Sequence, residues 1–268
     1  MEVKGKLVLI TGASRGIGAA TAKIMAQAGA KTLMVARSAP QLEDLAKLLS
    51  NNGGETHWRA VDLSDLKAIE AFAEDILKTL GPPDVIINNA GLGRWLFTEN
   101  TPGEEAEMMT KLPYQAAFHI SRLFLPAMLN RKSGHIVNVN SPASIIPWGG
   151  ASAYAASRWA LRGFTESLKI DLRGTGVGVS HVVLGEVESS YWEANPGARE
   201  RLPKIATIIP KISTEQAGKY ILKAIRGERK EYTRPSMLWI MRRLLWLTPW
   251  LTKYFVAATS YKRKGGQE

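Results

Sequence analysis

Short apolar runs that alternate with longer helical patterns are the strongest constraint this sequence places on its fold. The first run, Lys6-Leu7-Val8-Leu9-Ile10, leads directly into Thr11-Gly12-Ala13-Ser14-Arg15-Gly16-Ile17-Gly18, and a helical run follows from Ala19 to Ala28. Later strands are expected at 31–36, 55–61, 84–88, 134–140 and 177–184, with helices near 39–51, 65–79, 104–130 and 151–173. Such alternation is satisfied by an α/β architecture, a parallel sheet with helices on both faces. A chain of 268 residues with 45% hydrophobic content suffices for one such domain with a sizeable core. Residues 1–234 are expected to form it, including a substrate loop at about 186–212. Residues 235–268 read as an apolar and basic extension, either part of the same domain or a membrane-surface element.

Composition removes several chemistries. The chain has no Cys, so disulfides, thiolate catalysis and Cys-ligated zinc are excluded. His57, His119, His135 and His181 show no metal-ligand spacing, and no metal site is expected. Met1 to Lys6 runs into a strand without a cleavage region, so an intracellular, cytoplasmic protein is expected.

The glycine turn sits where a parallel sheet binds its ligands, at the carboxyl end of a strand. Gly12 permits the tight turn, Gly16 lets backbone approach a pyrophosphate, Gly18 allows close helix packing, and free N–H groups at the helix start face the anion. Thirteen residues after Ser141 comes Tyr154-Ala-Ala-Ser-Arg158. Positions i and i+4 share a helix face, so the Tyr154 phenol and the Arg158 guanidinium project into one cleft. A neighbouring cation stabilises phenolate, which suits a tyrosine that exchanges protons.

Taken in order, Thr11-Gly12-x-x-x-Gly16-x-Gly18, Asn88-Asn89-Ala90-Gly91, Ser141 and Tyr154-x-x-x-Arg158 resemble the motif set of the short-chain dehydrogenase/reductase family over roughly the first 230 residues. The resemblance implies a Rossmann-type, doubly wound parallel sheet and hydride transfer to or from a nicotinamide cofactor. It implies that Ser141 holds the substrate oxygen and that Tyr154 is the general acid or base, with Arg158 as its partner cation. For the cofactor it implies Gly12, Ser14, Arg15, Gly16, Ile17 and Gly18 in the turn, Asp62 and Leu63 at the adenine, and Asn89, Ala90 and Gly91 along the site. Tyr154 and Arg158 also border the cofactor, Val187 offers its backbone, and Ser189 offers a hydroxyl to the carboxamide. A homodimer or homotetramer through the helices at 104–130 and 151–173 is implied as well.

Charge bears on which cofactor. An acidic residue at the end of the second strand hydrogen-bonds the adenosine ribose and repels a 2′-phosphate. Here that strand ends in Ala36-Arg37, and Arg15 stands in the turn. Two cations that converge on a phosphate favour NADP(H) over NAD(H).

Three positions depart from the family pattern. Arg158 stands where the family has Lys; it keeps the charge and the donors but does not deprotonate, so a proton-relay role is given up. Pro113 falls where the family has a helix asparagine, and a proline there predicts a kink that frees the Met109 carbonyl. Leu184-Gly185-Glu186-Val187-Glu188-Ser189 replaces the usual Pro-Gly-x-Val-x-Thr. The reading is an NADP(H)-dependent oxidoreductase that reduces a carbonyl, or oxidises a secondary alcohol, on a lipophilic substrate. The alternative is a catalytically impaired cofactor-binding scaffold or redox sensor.

The formal net charge of +11 exceeds what phosphate binding uses. Much of the excess is C-terminal, at Arg226, Arg229, Lys230, Arg234, Arg242, Arg243, Lys253, Lys262, Arg263 and Lys264, interleaved with Trp239, Trp246, Trp250, Tyr254 and Phe255. The mostly apolar run 237–258 is broken by Arg242-Arg243, Pro249 and Lys253, and so reads as non-spanning. It is either a lid or subunit contact over the substrate pocket, or a peripheral element at a membrane surface. No nucleic-acid motif accompanies these cations, and no nucleic-acid partner is expected.

Overall fold

Alternate residues of the first strand point to opposite faces of one sheet, and the two faces have separate cores. The computed structural model describes residues 1–193, 195–227 and 231–262; Arg229, Lys230, Arg263 and Lys264 lie outside the described residues. The elements run β1 (Leu7–Thr11), α1 (Gly16–Gln27), β2 (Lys31–Ala36), α2 (Ala39–Asn51), β3 (Thr56–Ala60), α3 (Leu66–Thr79) and β4 (Val85–Asn88). They continue as α4 (Gly103–Thr110), α5 (Ala116–Asn130), β5 (Gly134–Asn140), α6 (Ser152–Asp171), β6 (Val177–Leu184), β7 (Val187–Glu188) and β8 (Ile212–Ser213). The last are α7 (Thr214–Ile225), β9 (Glu231–Arg234), α8 (Ser236–Leu247) and α9 (Pro249–Thr259).

Seven strands form the main sheet in the order β3-β2-β1-β4-β5-β6-β9, every neighbouring pair parallel. This is the doubly wound α/β sheet with helices on both faces. Val8 and Ile10 pack with Met25 of α1, Leu42 of α2 and Ile221 of α7. Leu7 and Leu9 face the other way, against Ile69 and Phe72 of α3, Phe124 of α5 and Leu168 of α6. A strand covered on both sides cannot alternate apolar with polar residues, which is why β1, β4 and β5 are buried along their whole length.

Four elements lie beyond the expected set: the short parallel pair β7 and β8, helix α7 and strand β9. Helix α7 opens with a capping box, in which the Ser213 hydroxyl accepts from Gln216 N and the Gln216 side chain accepts from Ser213 N. Ser-x-x-Gln before an apolar run was therefore a local signal for it. Strand β9 has only four residues and joins the sheet through β6, so its pairing is a tertiary matter. The helix expected at 104–130 is interrupted. Pro113 has no N–H for the ordinary ladder, and the chain takes one π turn over Lys111–Gln115 between α4 and α5.

His135, buried on β5, hydrogen-bonds Ser180 across to β6 at 2.8 Å. Burial, helped by the charge of the chain's N-terminus, pushes its imidazole from 6.5 down to about 4. The unfolded chain therefore binds a proton below pH 6.5 that the folded chain refuses until about pH 4. Stability is expected to fall by about 3 kcal/mol as pH drops through that window, with His181, also lowered by burial, acting in the same direction. Urea midpoints at successive pH values check this, and His135→Gln should flatten the dependence.

Candidate active site

The site begins at the carboxyl ends of β1 and β4, where strand order reverses. The Thr11 hydroxyl accepts from the backbone N–H groups of Asn89 and Ala90 at 2.9 and 3.0 Å and reaches the Ile87 carbonyl at 3.3 Å. The Asn89 amide returns the contact by donating to the Thr11 and Gly12 carbonyls. Gly18 is the packing point beneath this junction, since a Cβ there would meet the Gly12 carbonyl oxygen at 2.2 Å. No acidic residue stands in the first turn of α1, and its N-cap Arg15 gives no side-chain cap, so the helix start offers free N–H groups to an anion.

One cleft of about 930 Å³ runs from this turn to the C-terminal helices. Gly12, Ser14, Arg15, Gly16 and Ile17 line its near end, with Arg37 and Leu63 beside them. Asn89, Ala90 and Gly91 continue the wall, and Ser141, Tyr154, Arg158, Val187 and Ser189 lie further along. Two of the sequence-selected residues stand back from it. Gly18 lies under the turn, and the Asp62 carboxylate accepts from the Ser64 N–H and hydroxyl, which hold it below the ordinary carboxylate range, aided by the Arg37 charge. Neither Arg15 nor Arg37 makes an ion pair within 4 Å of a carboxylate among the described residues. They leave the near end positive.

Helix α6 carries Tyr154 and Arg158 one turn apart, 6% and 8% exposed. The guanidinium carbon lies 4.9 Å from the Tyr154 ring centroid. Arg158 Nε is buried with no hydrogen-bond partner, and no carboxylate neutralises the group among the described residues. A buried cation left so is costly unless a ligand supplies acceptors. Gly91 packs against it, where a Cβ would come within 2.7 Å of Arg158 Nη2. The glycine cradle, the unpaired Arg15 and Arg37, and the orphaned Arg158 donor together fit a long, anionic, hydroxyl-bearing cofactor.

Asn140 ties the two ends of this chemistry together. Its Oδ1 accepts from Ser141 N at 2.8 Å, and its Nδ2 meets the Arg158 carbonyl and His181 Nε2, each at 3.0 Å. Burial lowers the His181 imidazole, which fits a neutral ring accepting at Nε2. Its Nδ1 lies 3.5 Å from Glu231, a loose contact, and the Glu231 carboxylate meets Arg242 of α8. Burial raises Glu231, but His181 and Arg242 outweigh it and hold the carboxyl at about 2. A polar line thus runs from the C-terminal helices to the residue before Ser141.

Beyond Tyr154 the cleft is aromatic. Trp95 packs on Tyr154, Trp148 and Trp192 with centroids 5.1–5.6 Å apart. Tyr191 donates to the Gly93 carbonyl at 2.7 Å, and burial, with Tyr154 adding to it, pushes its phenol far above the ordinary value, so it stays protonated. Gly93 leaves room for the Tyr154 ring, since a Cβ would sit 2.6 Å from its Cδ2. Leu238, Met241 and Val256 of α8 and α9 form the roof. Sequence reasoning missed Asn140, His181, Tyr191 and the tryptophans. Tyr191-Trp192, two large aromatics just past Ser189, were the available signal; His181 had none, because its partners come from other strands.

Asn140→Ala strips three hydrogen bonds and leaves the buried His181 Nε2 acceptor and the Ser141 N–H donor without this partner. It should destabilise the protein by about 1–3 kcal/mol in chemical denaturation. Turnover should fall beyond the loss of folded protein, as Ser141 and Arg158 lose their common anchor.

Residues 6–199 match the family described as short chain dehydrogenase. An uncharacterized oxidoreductase of Mycobacterium tuberculosis is 40% identical over 174 residues, 63% of this chain and 51% of that protein. The chain thus spans about half the length of the uncharacterized mycobacterial oxidoreductases it matches. A fatty acyl-CoA reductase of Acinetobacter baylyi is 32% identical over 226 residues, 84% of this chain and 74% of that protein. Among solved structures, a metagenomic short-chain oxidoreductase in complex with NADP superposes with a TM-score of 0.72 at 30% identity, covering 88% of this chain and 99% of that one. A short chain dehydrogenase/reductase from Burkholderia phymatum in complex with NAD superposes with a TM-score of 0.84 at 25% identity, covering 98% and 99%.

Proposed function

The chain belongs to the short-chain dehydrogenase/reductase family, and from that premise we propose that it is an NADP(H)-dependent oxidoreductase. It reduces a carbonyl, or oxidises a secondary alcohol, on a lipophilic substrate. The observation that carries this reading is the buried Tyr154 beside an Arg158 with an orphaned Nε, in the same cleft as the glycine turn.

The residues that would hold the cofactor follow from their chemistry. Amides at Gly12, Ser14, Gly16 and Ile17 suit the pyrophosphate, Arg15 and Arg37 a 2′-phosphate, and Leu63 the adenine, with Asp62 set back behind it. Asn89, Ala90 and Gly91 line the way to Arg158, whose free donor suits ribose hydroxyls, while Val187 and Ser189 suit a carboxamide. When bound, a nicotinamide cofactor supplies or takes the hydride. Ser141 holds the substrate oxygen. Tyr154 gives that oxygen a proton in reduction and takes one back in oxidation, and the Arg158 charge steadies the phenolate between those events. Arg158 does this without passing a proton itself. The apolar far end, with Trp95, Trp192 and Leu238, suits a lipophilic group, in keeping with the fatty acyl-CoA reductase among the relatives. Phe118 and Trp159, exposed on α5 and α6, suit a homodimer or homotetramer through those helices.

A panel of ketones and aldehydes of increasing chain length, followed by NADPH oxidation, tests the reading. Turnover should rise with chain length. Tyr154→Phe should lower kcat by about a hundredfold or more with NADPH affinity nearly unchanged. Tight NADPH binding without turnover on any member would instead point to the scaffold or redox sensor. Arg37→Ala should weaken NADPH by about tenfold or more while leaving NADH affinity nearly unchanged, as titration calorimetry would measure.

A further inference from the structure

We propose that the outer face of the α8–α9 pair docks on an anionic lipid surface, because these helices turn large apolar side chains outward on a face with cations and no carboxylate. A helix on an ordinary protein surface puts its apolar stripe inward. Here the inward positions Leu238, Met241 and Val256 roof the cleft, while Ile240, Leu244, Trp246, Leu247, Trp250 and Tyr254 face solvent. Trp246 is 78% exposed and Trp250 72%. No helix among the described residues is long and apolar enough to cross a membrane, and α8 and α9 are 12 and 11 residues long. Short helices with aromatic rings outward and cations among them lie in an interface rather than through it.

Charge selects the occupant. Between Glu231 and Glu268 there is no Asp or Glu, but there are Arg234, Arg242, Arg243, Lys253, Lys262, Arg263 and Lys264. Arg242 is engaged with Glu231, whereas Arg243 lies 5.0 Å from the Trp239 ring and Lys253 stands exposed beside Tyr254. A second copy meeting this face about a twofold axis would bring the same cations together with no acid to pair them. Anionic headgroups supply that complement, and the rings supply the apolar contact. Because the same two helices roof the cleft, docking sets its apolar end beside the bilayer, a source of lipophilic substrate. That last step rests on the substrate reading above; the docking does not, and its test uses no turnover.

Full-length protein is sedimented with phosphatidylcholine vesicles, with and without phosphatidylglycerol, at low and high salt. Its oligomeric state is measured in parallel by sedimentation velocity. Binding is expected to rise with phosphatidylglycerol and to weaken with salt. Trp246→Ser with Trp250→Ser should weaken it by about tenfold or more with circular dichroism unchanged, and Lys253→Gln, which removes no packing, should weaken it less. Failure to pellet with either vesicle composition overturns the proposal. So does undiminished binding by the double variant, or a dimer that falls to monomer in that variant while vesicle binding stays the same. Loss of carbonyl turnover with vesicle binding intact counts against the oxidoreductase reading alone.

Discussion

The Thr11 hydroxyl, set between β1 and β4, is the interaction on which the rest of the site depends. By accepting from Asn89 and Ala90 it joins the two strand ends at the point where the sheet reverses its order. Strands that diverge there leave a crevice, and the glycine turn after β1 enters it. Gly18 then brings α1 against the Gly12 carbonyl, a contact that any side chain would prevent. The positive start of a helix is thereby aimed into the cleft, with Arg15 and Arg37 at its rim.

Asn140 has a comparable role at the next strand pair. With a single side chain it fixes the backbone of Ser141 and a carbonyl of the α6 turn bearing Arg158, so the two arms of the site share an anchor. His181 accepts the remaining donor, and Glu231 and Arg242 extend the line to α8. The roof helix and the Ser141 end of the cleft are thus linked by polar contacts as well as by shared walls. The buried Arg158 has the opposite character: among the described residues no carboxylate pairs with its charge, an arrangement that favours an occupied cleft.

Much of the sheet was legible because buried parallel strands are nearly continuous apolar runs. Strands β2, β5 and β6 lie where their apolar runs place them. Helix α7 escaped notice although its Ser-x-x-Gln start is a local signal, and β9, four residues with two partly exposed ends, has too little pattern to stand out. Pro113 marked a break in the helix at 104–130, but whether the ladder would kink or take a π turn depends on what packs around it. At the site, the glycine turn and the Tyr154–Arg158 pair were visible through spacing, and Ser141 through the family resemblance. Asn140, His181 and Tyr191 were not, since each acquires its partner from an element distant in sequence.

The sequence by itself determined the sheet-and-helix order, the glycine turn, the one-turn spacing of Tyr154 and Arg158, and the acid-free C-terminal stretch, since these depend on periodicity and composition within a few residues. Only the tertiary structure decided that Arg158 is buried with an unpaired Nε, that Asn140 anchors both arms, and that α8 and α9 roof the cleft with one face while exposing tryptophans on the other. The physical reason is that burial and hydrogen-bond satisfaction are properties of surfaces that meet. Those surfaces are contributed by residues far apart in the chain, about a hundred positions for Tyr191 and Gly93 and more for Gly12 and Val256 in the same cleft, and become neighbours only when the chain closes on itself.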